Sequence, residues 1–308
     1  MVTKKLSLVS YTFAVSCAAV LISLGPISEA SMRESPQEVQ KRRLKKYGNK
    51  RVRKLLSVDH IEQLSRDGII VIDNVLNSRD LGNAREDVKL LRDSGSFEKS
   101  EQDGADVRTD LVHWISESIS EDRDDHSHDG LSFALSLIRS IPSELMNDDK
   151  YSRRYSLNMG VPFSNQLTSY SSTGFHYAPH RDKGNEVGYL LQTLQYFTQP
   201  GIQEREYTII LYLNEEKWID GRTEGASSTE GCLRCFMGSE ASDDTGVTAT
   251  QVLNIDPDGG RLVIFDAKTV LHEVVHTKRE RIALTCWVGG SHSNYMFLRP
   301  YCIPWKRE

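Results

Sequence analysis

The sequence predicts an α+β protein in which helices come first and strands follow. Two observations predict it. Helical periodicity with capping residues dominates the chain from residue 58 to about 141. From about residue 153, short β-rich runs alternate with Gly, Asp and Asn turns. Strands of this kind suit a sandwich or a double-sheet barrel, a jelly roll among the options, with the helices braced against one sheet. At 308 residues, 38% hydrophobic and 26% charged, the chain has the size and composition of one large folded domain or two small ones.

The chain opens with Lys4 and Lys5, then "LSLVSYTFAVSCAAVLISLG", free of charge, then "ISEAS" with the small residues Ser28 and Ala30. This pattern reads residues 1–30 as a signal peptide or, if uncleaved, a signal anchor, and places the protein in the secretory pathway. Residues 31–57 form a basic linker; "KRRLKKYGNKRVRK" holds nine basic residues in fourteen. In a cytosolic or nuclear protein such a run is a nuclear signal or a nucleic-acid arm. Behind a secretory segment it is a solvated linker or a contact to acidic lipid headgroups. Residues 1–57 carry a net +9 and the remainder −14, so the main body offers no uniformly basic nucleic-acid surface. No nucleic-acid partner is expected, whereas membrane contact through the N-terminal segment is.

"SVDHIEQLSRDG" predicts a helix capped by Ser57 and closed by Gly68, and "IIVIDNVL" a buried strand over 69–76. "NSRDLGNAREDVKLLRDSG" places Leu81, Ala84, Val88 and Leu91 on one helical face. Residues 97–129 read as polar and acidic, and "LSFALSLIRSI" as a further helix. Strands are then expected at "RRYSLNMG", "QLTSYS", "EYTIILYLN", "GCLRCFM", "TATQVLNI", "RLVIFD", "RIALTCWV" and "YMFLRPYCI". Cys232 and Cys235 form a CxxC on one of these strands. Residues three apart on a strand face opposite sides, so they read as packing residues rather than a zinc site or a disulfide.

His-x-Asp/Glu occurs twice. His60 and Glu62 lie on a predicted helix, where they point about 200° apart. His180 and Asp182 follow an extended segment, "HYAPHRD", where they project to one face. Downstream, "FDAKTVLHEVVHTKRERIALTCWV" supplies His272 or His276 and then Arg281. Two histidines and one carboxylate are the facial triad of non-haem Fe(II) oxygenases, whose open positions accept a keto acid and oxygen. An Arg at the far end grips a dicarboxylate keto acid with two parallel hydrogen bonds. On the last strand Arg281, Ala283, Thr285 and Trp287 share one face. His176, His180 and Asp182 also share a face by simple alternation, but His176 is about 13 Å from His180 at ~3.3 Å per residue, out of reach of a common ion. His113, His126 and His128 read as structural or solvated.

Several motifs stand in an order that resembles the Fe(II)/2-oxoglutarate-dependent prolyl hydroxylases, most nearly the hypoxia-type prolyl hydroxylase-domain branch. They are "DGIIVIDNVL", "RTDLVHWI", "SYSSTGFHYAPHRD", "YTIILYLNEEKW", "GCLRCF", "GRLVIFDAKTVLHEV" and "RIALTCW". The resemblance covers about residues 58–290. It implies a double-stranded β-helix (jelly roll) core over 151–308, braced by 58–150. It makes His180, Asp182 and His272 the iron ligands, His272 being preferred because it stands in His-Glu-Val nine residues before Arg281. Arg281 and Tyr212 are implied to hold the far carboxylate of 2-oxoglutarate, and Tyr170 to lie near its other end. Tyr177, Asp110, Trp114, Arg205 and Trp287 are implied to line or brace the substrate pocket. The implied cofactors are Fe(2+), 2-oxoglutarate, O2 and L-ascorbate, and the implied reaction hydroxylates a prolyl residue of a protein or peptide, releasing succinate and CO2. A lysyl residue or a small molecule as substrate, and a catalytically silent binding protein, are the alternatives. The chain departs from the family in the twenty-two residues between Asp182 and Arg205.

Overall fold

The computed structural model describes residues 52, 55–99, 108–115, 129–147, 157, 159–160, 162–170, 175–183, 205–218, 228–238 and 250–290. The chain divides into two compact units, residues 1–42 and 43–308, and every described residue lies in the second. The targeting segment, the "YMFLRPYCI" strand and the residues between Lys183 and Arg205 fall outside the described residues.

Helix α1 (Val58–Asp67) begins at Ser57, whose hydroxyl accepts from the His60 N–H while the His60 ring accepts from the Ser57 N–H. It ends at Gly68 in the left-handed conformation (φ 72°). The chain passes into β1 (Ile69–Ile72), which stops short of the predicted Leu76 because Asn74 turns the backbone at φ 58°. Helix α2 (Ser78–Asp93) is capped by Asn77 and buries Leu81, Ala84 and Val88 as its periodicity requires. Two strands follow where only polar sequence was expected: β2 (Glu98–Lys99) and β3 (Leu111–Trp114). Only Val112 of β3 is buried, so its apolar signal is a single residue. Helix α3 (Asp129–Asn147) runs past the predicted end, through Pro142, because Leu145 continues the apolar stripe of Ala134, Leu137, Ile138 and Ile141.

The remaining strands are β4 (Pro162–Tyr170), β5 (Phe175–His180), β6 (Arg205–Tyr212), β7 (Leu233–Met237), β8 (Gln251–Ile255), β9 (Leu262–Asp266), β10 (Leu271–Thr277) and β11 (Arg281–Gly289). They form two antiparallel sheets: β1-β9-β6-β11-β4-β3-β2 and β5-β10-β7-β8. The predicted strand at 153–160 is not one where it is described. Leu157 and Met159 are buried outside any strand, and Gly160 N–H donates to the Gly289 carbonyl at 2.6 Å. A Cβ at Gly160 would sit 2.4 Å from the Gly290 oxygen, so only glycine permits this approach. Strand β10 escaped the sequence reading because its buried face carries His272 and Thr277 beside Val274, which breaks the apolar alternation.

Two apolar clusters follow from strands buried on both faces. The outer one packs α1–α3 against the large sheet through Leu167, Ile209, Leu211, Ile264, Leu284 and Val288. The inner one, between the sheets, joins Tyr170, Tyr212, Leu233, Cys235, Phe265 and Val274. Burying each such side chain contributes roughly 1.5–3 kcal/mol. Cys232, Cys235 and Cys286 are buried thiols outside any disulfide, in keeping with a packing role.

Asn214 ties the start of β11 to the loop before β9. Its Nδ2 donates to the Pro257 carbonyl and its Oδ1 accepts from the Ile282 N–H, both at 2.7 Å. Asn214→Ala leaves a buried N–H and C=O without partners. It should cost about 2–4 kcal/mol in denaturant unfolding; a change under 0.5 kcal/mol would show that the link carries no weight.

Candidate metal and cosubstrate site

His180, Asp182 and His272 come together from β5, the loop after it and β10, their ligand atoms within 4.8 Å of one another. His272 pairs across the ladder with His180, which brings the two rings together, tilted at 55° with 4.3 Å between centroids. The Nε2 atoms of His180 and His272 lie 3.4 and 3.9 Å from Asp182 Oδ1. Each ring's Nδ1 faces a backbone carbonyl that can only accept, Ala178 for His180 (2.8 Å) and Val270 for His272 (3.2 Å). Nδ1 therefore carries a proton in each ring, and Nε2, the atom free to ligate, faces Asp182. The other carboxylate oxygen, Oδ2, accepts from Thr208 Oγ1 at 2.5 Å and Trp287 Nε1 at 3.0 Å. One oxygen is thus clamped and the other faces the Nε2 atoms of both histidines. Burial pushes His272 down to about 4, helped by the neighbouring His180, so it is neutral at pH 7. Burial works against a charged Asp182, but hydrogen bonding and the charge of the adjacent groups hold its carboxyl well below the usual range. This donor set, two imidazoles and one carboxylate, fits Fe(II).

The same cavity, of about 300 Å³, contains Arg281, which is only 1% exposed. Its Nε donates to the Gly231 carbonyl (2.9 Å) and its Nη2 to the Tyr212 hydroxyl (3.2 Å). Its guanidinium lies 5.0 and 4.9 Å from the Tyr170 and Tyr212 ring centres. Among the described residues no carboxylate pairs with it. A buried cation whose partners are all neutral is costly unless a bound anion completes it. The far carboxylate of 2-oxoglutarate fits that need, with Arg281 and Tyr212 at one end and the triad at the other. Burial pushes the Tyr212 hydroxyl up to about 12 and raises Tyr170 as well, so both stay neutral donors.

The remaining residues implied by the resemblance are mostly assembled here. Tyr177 stacks on His180 at 3.7 Å, and Trp287 lines the cavity beside Trp114, 5.8 Å away and 48% exposed. Arg205 lies over the Trp287 ring at 3.9 Å. Asp110 is the exception: it does not line the cavity. It holds Arg108 in a two-armed ion pair (2.5 and 2.8 Å), and Arg108 is the lining residue, reaching Gln166 and covering the Tyr177 ring at 4.8 Å. Sequence reasoning missed Arg108 and Thr208 as site residues. The Arg-x-Asp spacing signalled the first; nothing local signalled the second.

The expectation that His176 faces the same way as His180 is overturned. The β5–β10 register shifts between the Tyr177–Val274 and His180–His272 pairs, a bulge that inserts one residue. Tyr177 and His180 consequently both line the cavity, and His176 turns away to stack on His276 at 4.2 Å. His276, the alternative to His272 as ligand, is exposed on that outer side.

Fold and site together are those of a double-stranded β-helix with a candidate site for iron and a keto acid. Residues 165–289 match the family model of the 2OG-Fe(II) oxygenase superfamily. No curated protein matches the chain in sequence. Among solved structures, a prolyl hydroxylase from Trichoplax adhaerens, in complex with a hypoxia-inducible-factor oxygen degradation domain peptide fragment, superposes with TM-score 0.58 at 19% identity. That match covers 85% of this chain and 97% of the other. A prolyl 4-hydroxylase from Phytophthora capsici gives 0.50 at 18%, covering 87% and 70%. The α-ketoglutarate-dependent epimerase SnoN of nogalamycin biosynthesis gives 0.51 at 12%, covering 83% and 90%. At these identities the likeness is one of fold.

Asp182→Ala, His180→Ala and His272→Ala should each abolish stoichiometric Fe(II) binding, measured anaerobically by metal analysis after desalting. His176→Ala should retain one iron per chain. Loss of iron from His176→Ala with retention in Asp182→Ala would mean the metal sits elsewhere.

Proposed function

We propose that this protein hydroxylates a C–H bond of a prolyl residue in a protein or peptide, consuming 2-oxoglutarate and O2 and releasing succinate and CO2. The observation that carries it is one cavity holding the His180–Asp182–His272 set and the carboxylate-free cation Arg281. Bound iron supplies the oxidising chemistry, with L-ascorbate as the reductant that keeps it Fe(II). The chain's own part is to orient the partners. Thr208 and Trp287 fix Asp182, the two backbone carbonyls fix the imidazoles, and Arg281 with Tyr212 sets the cosubstrate's direction. The peptide-bound prolyl hydroxylase structure from Trichoplax adhaerens supports a peptide substrate, since its fold covers most of this chain.

Proline-containing peptides incubated with Fe(II), 2-oxoglutarate and ascorbate should gain one oxygen on proline by tandem mass spectrometry, matched by succinate. Oxygen on lysine instead, or succinate with no peptide product, would sink the prolyl assignment. Arg281→Ala should raise the 2-oxoglutarate requirement at least about tenfold with iron retained, and Arg281→Lys should restore it only in part. An unchanged requirement would remove Arg281 from cosubstrate binding.

Residues 1–30 and the basic linker up to residue 51 lie outside the described residues. Among the described residues no helix is long and apolar enough to cross a membrane. The basic start, apolar run and small residues before Ser31 support a secretory address and membrane contact at the N-terminus. A reporter fused behind residues 1–57 should enter the endoplasmic reticulum; diffuse cytosolic or nuclear signal would overturn this.

A further inference from the structure

Asp182 is the one member of the ligand set that no strand carries. It stands beyond the end of β5, and twenty-two residues separate it from Arg205, the first residue of β6. A connection of that length closes at little extra entropic cost but imposes no geometry on its ends, so chain length alone cannot keep a ligand in place. The ends are held by contacts instead, and these converge on one residue. The Lys183 N–H donates to the Ala267 carbonyl and the Ala267 N–H donates to the Glu206 carbonyl, both at 2.9 Å. Ala267 is fully buried directly after β9, which makes it a fixed point. Across this backbone knot the Lys183 ammonium donates to the Glu206 carboxylate. The two side chains are 19% and 25% exposed, so solvent screens the pair only in part. Two residues further along β6, Thr208 holds Asp182 itself. Residues 182 and 183 are thus each fastened by side chain to the same strand.

We propose that Lys183 and Glu206 are positioning residues, whose ion pair fastens the start of this long connection to β6 and thereby holds Asp182 at the metal site. Neither side chain lines the cavity, so the pair acts through Asp182 rather than on a ligand. The inference rests on the reading of His180, Asp182 and His272 as an iron site and adds a support from outside the ligand set.

Metal affinity tests this without requiring turnover. The full chain, freed of metal, is titrated anaerobically with Fe(II) by equilibrium dialysis, and the melting temperature of each iron-free chain is measured beside it. Lys183→Met leaves the surroundings of the site more negative, whereas Glu206→Gln leaves them less so. A purely Coulombic effect would therefore tighten Fe(II) binding in the first variant and weaken it in the second. Loss of positioning weakens both, by about tenfold, the lower end of what removing a ligand's supporting partner costs. The exchanged pair, Lys183→Glu with Glu206→Lys, should return to within about threefold of the native affinity. Opposite shifts in the two single variants, unchanged affinity in both, or an exchanged pair as weak as they are would overturn the proposal. So would a weakening that only follows a lowered melting temperature. A native chain that takes up no iron would instead reject the metal site itself, and the role of the pair with it.

Discussion

All nine residues of β11 are buried, so this strand must satisfy two environments at once, and the rest of the molecule is arranged around that demand. Its odd and even residues separate cleanly. Ile282, Leu284, Cys286 and Val288 join the cluster under the helices, while Arg281, Ala283, Thr285 and Trp287 line the cavity. Because the side-chain period is two, a slip of one residue would send Arg281 into the helix interface and Leu284 into the site. The register is held on both sides, by β4 from Tyr170 to Pro162 and by β6 from Tyr212 to Arg205. The helices therefore serve function indirectly. Covering the outer face of β11 fixes which face is left to point inward.

The same alternation runs through the neighbours. Gln166, Thr168 and Tyr170 of β4, and Thr208, Ile210 and Tyr212 of β6, turn inward, while Leu167, Ile209 and Leu211 turn toward the helices. This is why one carboxylate can be gripped from two strands. Thr208 and Trp287 are cross-strand partners in the β6–β11 ladder, and both donate to Asp182 Oδ2. Two neighbouring inward positions suffice to aim Oδ1 at the histidines. Asp182 itself lies beyond the end of β5, where Lys183 N–H is anchored to the Ala267 carbonyl. The ligand loop is thereby tied to the residue that follows β9.

Much of this was legible from residue type and spacing, and what was not has a physical reason. Helices α1 and α2 declare themselves because caps and a one-sided apolar stripe are local properties. So do Arg281 and Trp287, since alternation on a strand needs no knowledge of its partners. Strand β10 hid because a functional histidine and a threonine occupy positions where an ordinary strand would carry apolar residues. The roles of Thr208 and Arg108 were invisible for another reason. A hydrogen bond between residues 26 apart, and a stacking contact set by an isolated bridge between Arg108 and Tyr177, are properties of the fold rather than of any segment. Asp110 was placed at the pocket by resemblance; the structure shows it acting one step removed, through the guanidinium it neutralises.

The bulge in β5 shows how a single inserted residue decides chemistry. With unbroken alternation, His180 and His176 would share a face, and Tyr177 would point away from the metal ligands. The shift between Tyr177 and His180 reverses that, stacking the tyrosine ring on the imidazole and sending His176 to the opposite surface with His276. Two consequences follow from this one irregularity. The ligand imidazole gains an aromatic wall that limits its rotation, while its Nδ1 is already held by Ala178. The second histidine pair of the β5–β10 ladder is removed from the cavity, so only His180 and His272 can share a metal with Asp182. Selection between two chemically equivalent pairs is thus made by backbone geometry, where residue identity alone leaves it open.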